Sequence, residues 1–92
     1  MKAELLAAAE VDLLDAVSYY NEQSEGLGYE FAAEVKQTLA RIFQFPDAWH
    51  RLSARTKRCR TKRFPYGVVY QLRGALSSRR IEPHAGRSSK EP

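Results

Sequence analysis

Residues 57–74 read KRCRTKRFPYGVVYQLRG. Small Cys59 and Thr61 alternate with Arg58, Arg60 and Lys62, and farther on Val68, Tyr70 and Leu72 alternate with Val69 and Gln71. A period of two marks strands that show one face to a core and the other to solvent. Between the two runs Pro65 lacks a backbone donor and Gly67 relaxes the backbone, so Phe64, Pro65, Tyr66 and Gly67 are expected to form the turn of an antiparallel hairpin. Arg58, Arg60 and Lys62 would then project from one face at intervals of roughly 6 to 7 Å, close to phosphate spacing along a nucleic acid. A plainer reading of the same cations is an edge strand kept from aggregating by its charge.

Upstream the period changes to that of a helix. In AAAEVDLLDAVSYYNEQ (7–23), Ala9, Leu13, Ala16, Val17 and Tyr20 share one face, while Glu10, Asp12, Asp15 and Asn21 lie elsewhere. SEGLG follows, where Gly26 suits a left-handed helix end and Gly28 loosens the entry to the next element. From Tyr29 onward Phe31, Val35, Leu39 and Ile42 make a second stripe, which Pro46 stops. So short a link predicts an antiparallel αα-hairpin. With a short strand expected at residues 2–6, the fold class is α+β: a helical hairpin packed on a small, twisted, mainly antiparallel sheet, in the order β-α-α-β-β.

A chain of 92 residues is one domain by size, and its core is small. Five Tyr, four Phe and one Trp supply much of the area that can be buried. Accordingly, Tyr19, Tyr20, Phe31, Phe64 and Tyr70 are expected to be core or hinge packing. Cys59 is the single cysteine, so it closes no internal disulfide, and no Cys/His set has metal-ligand spacing. Its cationic neighbours favour thiolate, yet no His stands in a recognisable nucleophile arrangement, and it reads as a small inward residue. No metal and no cofactor are expected. Apolar runs are short, and acids interrupt the opening MKAELLAAAEVDLL, which argues against a signal segment or a membrane span and for a cytoplasmic protein.

The net charge of +4 divides unevenly. Residues 1–47 hold three cations against nine acids; residues 48–92 hold twelve cations against two acids. The second half suits an acidic or nucleic-acid partner, unless the two halves match each other across the fold.

The order of a short strand, a helix ending YYNEQ, a GLG link, a helix opening YEFAAEV, a proline stop, a basic strand and RFPYGVVYQL resembles the RelE/ParE superfamily, the toxins of type II toxin–antitoxin systems. The resemblance spans about residues 1–74 and implies the same hairpin-on-sheet fold. It also implies an acidic antitoxin that orders as it threads over the toxin. Arg58, Arg60, Lys62, Arg63 and Arg73 are the cations expected to meet antitoxin or target.

Two mechanisms divide the superfamily. RelE-like members resemble ribosome-dependent messenger-RNA endonucleases, whose chemistry needs a base, cations for the phosphate and an acid for the leaving oxygen. Here no Tyr follows Tyr70, and His84 and Arg87 are the candidates such a nuclease reading would use. ParE-like members resemble inhibitors of DNA gyrase, which bind and make no bonds. YYNEQ, GLGYEF and RFPYGVVY look closer to the second branch, and on that reading no catalytic residue is assigned. A small RNA-binding module is a separate alternative, but Phe64, Tyr66 and Tyr70 flank the expected turn instead of alternating with the cations.

Residues 75–92, ALSSRRIEPHAGRSSKEP, depart from the resemblance. Arg79, Arg80, Glu82 and Pro83 stand where an apolar central strand belongs, and Pro83 would interrupt it. The segment reads as a divergent, flexible C-terminal piece following a 1–74 toxin domain, and its composition leaves open whether a last strand joins the sheet. Loss of that strand would bare a sheet edge, which invites dimerisation or leaves an inactive, degenerate toxin, and a shifted reading frame would account for the composition.

Overall fold

The computed structural model describes residues 3–73 and 75–83. Helix α1 spans Ala7–Gln23 and α2 spans Leu27–Gln44. Strand β1 (Ala3–Leu5) precedes them, and β2 (His50–Arg51), β3 (Thr56–Arg60), β4 (Tyr66–Arg73) and β5 (Ala75–Pro83) follow. The result is the expected α+β arrangement of a helical hairpin on a mixed sheet.

The stripe read from α1 does what its period requires. Ala9 and Ala16 are buried, with Leu13, Val17 and Tyr20 packed beside them. The link to α2 turns at Gly26, whose φ of +85° is open to glycine at little cost. Gly28 corrects the expectation of a loose entry. It is the second residue of α2, its N–H donates to Asn21 Oδ1 at 2.8 Å, and a Cβ there would stand 2.1 Å from the Val17 carbonyl oxygen. It is glycine because two helices touch at that point. From α2, Phe31, Val35 and Ile42 enter the core.

The five strands run in the order β1-β5-β4-β3-β2, with β1 parallel to β5 and the other pairs antiparallel. Both helices lie on one face, over Cys59, Val68, Tyr70, Leu76 and Ile81. Tyr20, Phe31, Phe64 and Tyr66 form an aromatic cluster with ring centroids 4.8–6.0 Å apart, within the range where edge-to-face pairs add to area burial. Tyr19 is the exception among the expected packing aromatics: it rests edge-on against Tyr20 but is 55% exposed.

Two expectations are overturned. The turn lies earlier than residues 64–67, because Tyr66 already begins β4 and Gly67 pairs with Arg60. Thr61 closes the connection. Its N–H donates to the Tyr66 carbonyl at 3.0 Å and its hydroxyl to the Phe64 carbonyl at 2.6 Å. The second correction is larger. Residues 75–83 form β5, inside the sheet between β1 and β4, so the strand that the composition left open is present and Pro83 does not interrupt it. Leu76, Ser78 and Ile81 point into the core, and an irregularity in the ladder makes Arg79 an extra residue. That extra residue shifts the alternation, so Arg79 and Arg80 both stay exposed without burying charge. Pro83 comes last in the strand, where a missing donor costs least. The edge of β4 that loss of this strand would have bared therefore carries β5 and then β1.

Candidate docking surface on the open sheet face

Among the described residues no helix covers the second face of the sheet. Because Cys59 faces the core, its neighbours Arg58 and Arg60 point away from it. Register fills in the rest: His50 and Val69 flank Arg58 on β2 and β4, Gly67 flanks Arg60, and Gln71 flanks Thr56. Arg79 joins the same face. Its Nη1 donates to Gln71 Oε1 at 3.3 Å, and Gln71 Nε2 donates to Thr56 Oγ1 at 2.9 Å, a polar row that crosses three strands. Among the described residues no carboxylate is within ion-pair distance of Arg58, Arg60 or Arg79. Glu82, opposite Gly67, and Glu4, opposite Ser77, bring acids to this face without pairing with those three.

The other sequence-predicted cations are distributed differently. Strand β3 ends at Arg60, so Lys62 sits in the connection, where its backbone N–H donates to Glu34 Oε2 at 2.5 Å. Arg63 pairs with Glu30 of α2 at 2.9 Å and lies over the Phe64 ring at 5.3 Å. Lys62 and Arg63 thus belong to a clasp between α2 and the β3–β4 connection. Arg73 ends β4, and its side chain, like His84 and Arg87, lies outside the described residues. Lys57 points to the helix side, 3.8 Å from Asp47, and lines a recess of about 360 Å³ with Ala54, Arg55, Tyr70 and Leu72.

Arg80 is held elsewhere. Its Nε and Nη2 donate to the two oxygens of Asp12 at 2.7 and 3.0 Å, and the Ile81 N–H donates to Asp12 Oδ2 at 3.0 Å. Asp12 thereby caps β5 beyond the end of β1. The Arg80 hydrogen bonds, more than the burial that opposes them, hold its carboxyl below the usual range. Burial pushes the Cys59 thiol up, against its cationic neighbour Arg41, which leaves it an inert packing residue. The same cause takes the Tyr70 hydroxyl to about 12, and that hydroxyl donates to the Pro46 carbonyl at 2.6 Å, tying β4 to the end of α2.

No family model matches the chain, and no curated protein is found to be similar to it. Among solved structures it is similar to a chain of the chromosomal ParDE TA system from P. aeruginosa, with a TM-score of 0.78 over 90% of this chain and 95% of that one, at 12% identity. It shares the fold of that chain. At that identity the likeness is one of backbone path, so the side chains on the open face are this chain's own evidence. Sequence reasoning missed Arg79, Gln71 and Thr56, because their meeting depends on the register of β3, β4 and β5 across the sheet. The signal available was the pair Arg79 and Arg80, which breaks strand alternation and marks a bulge.

Proposed function

We propose that this protein is the toxin of a type II toxin–antitoxin pair, that it acts by binding DNA gyrase without bond-making of its own, and that an acidic antitoxin segment neutralises it. The observation that carries the reading is the open sheet face with Arg58, Arg60 and Arg79, on a fold shared with a ParDE chain. Unpaired guanidinium groups favour carboxylates or phosphates, since their fork of donors meets two oxygens at once. A partner that is acidic and orders on binding would neutralise them and cover the face together.

Purified gyrase provides the test. The protein should accumulate cleaved DNA complexes, and the triple variant Arg58→Ala, Arg60→Ala, Arg79→Ala should fail to do so while melting like the wild type. Cutting of messenger RNA on ribosomes with gyrase untouched would refute the assignment.

A further inference from the structure

We propose that Gly67 is a positioning residue: the space left by its missing side chain lets Arg58 lie across β4 and hold its guanidinium on the open face. The inference rests on the docking function proposed above. Gly67 is buried as the second residue of β4 and paired on both sides, with Arg60 and Glu82, a place where glycine costs packing and entropy, so its presence needs a reason. Backbone conformation is not that reason, because among the described residues Gly26 is the glycine with positive φ. Close approach is. A Cβ at position 67 would stand 2.8 Å from both Cγ and Cδ of Arg58 and 3.7 Å from its Nε.

Arg58 is opposite Val69 in register, whereas Gly67 is opposite Arg60. The Arg58 stem therefore runs diagonally from its own row into the next. This lays the side chain flat and encloses its Nε, which has no hydrogen-bond partner among the described residues. An enclosed donor without an acceptor is unfavourable, so hydrogen bonding does not hold the arginine there. Space does. The two terminal nitrogens are left for a partner: a carboxylate seated on the face would accept from both together, a fork geometry in which an arginine is selective for an acidic side chain.

The experiment uses Gly67→Ala, Arg58→Ala and the double variant, with a fluorescein-labelled polyglutamate peptide as the acidic probe. Alanine suits an extended strand, and thermal melts confirm that each variant folds. Arg58→Ala should weaken binding by about threefold to fivefold, as expected for one partly exposed charge pair. Gly67→Ala should weaken it comparably, and the double variant should bind no worse than Arg58→Ala alone, since Gly67 acts through Arg58. Nitrogen-15 NMR gives the independent readout. The Arg58 Nε–H should exchange slowly with water in the wild type and quickly in Gly67→Ala.

Additive losses, or wild-type binding by Gly67→Ala alongside a weakened Arg58→Ala, would overturn the positioning role. Unchanged Nε–H exchange would do the same. If exchange quickens yet Arg58→Ala binds like the wild type, the docking reading is what has failed, and the inference falls with it.

Discussion

Gly28→Ala puts a methyl carbon 2.1 Å from the Val17 carbonyl oxygen and 2.7 Å from Cγ of Asn21. Ordinary contact begins near 3.4 Å, so the two helices must separate by roughly 1.3 Å or distort. Rotating a side chain relieves only the Asn21 clash, because the nearer atom is backbone. Against this, alanine improves helix propensity by at most about 1 kcal/mol. Overpacking of this kind costs typically 1–3 kcal/mol, here near the upper end, and losing the Asn21–Gly28 hydrogen bond adds about 1 kcal/mol. The net is a destabilisation of about 3 kcal/mol, a large part of the roughly 5–15 kcal/mol that holds a domain together. In a chain of this size that lowers the melting temperature by about 10–20 °C. Urea unfolding followed by far-UV circular dichroism measures it directly. A midpoint equal to or above the wild type would show that the helices are not in contact at this point, and the account of the hairpin would be wrong. Gly26→Ala is the control: nothing lies within 4 Å, so only the cost of a positive φ, about 1 kcal/mol, should appear.

Asp12→Ala leaves the Ile81 N–H and the Arg80 guanidinium without their acceptor, and should cost about 1–3 kcal/mol in the same denaturation assay. Because the folded-state carboxyl titrates below its unfolded value of about 3.9, its contribution is present above that pH and lost as pH falls through the lower folded value. Wild type and Asp12→Ala should therefore converge in stability on going from about pH 6 to pH 3. Tyr70→Phe removes the bond to the Pro46 carbonyl and should cost about 1 kcal/mol. Since burial raises the Tyr70 hydroxyl to about 12, its contribution is whole below an unfolded value of about 10 and lost as pH rises toward 12, and spectrophotometric titration should find one tyrosine ionising late.

Local pattern determined the helical hairpin and most of its inner face. Residues 7–23 carry a helical stripe and no breaker, and Gly26 and Pro46 punctuate at the two places where the chain turns. The inward sides of β3 and β4 were equally legible, because Cys59 alternates with cations and Val68 and Tyr70 recur at every second position, even though Val69 between them is buried as well. Periodicity is a property of adjacent residues, and wherever one element decides, it suffices. Tertiary structure decided the rest. Strand β5 has only Leu76, Ser78 and Ile81 to bury, with a phase slip at Arg79, so its composition resembles a loose tail until β1, β4 and α1 surround it. Which cations meet acids was decided the same way, since Arg63 finds Glu30 across 33 residues and Arg80 finds Asp12 across 68. Arg58, Arg60 and Arg79 remain on the open face because the register brings no carboxylate within reach of them among the described residues. Register and ion pairing depend on distances between segments far apart in the chain, and those distances exist only once the sheet has formed.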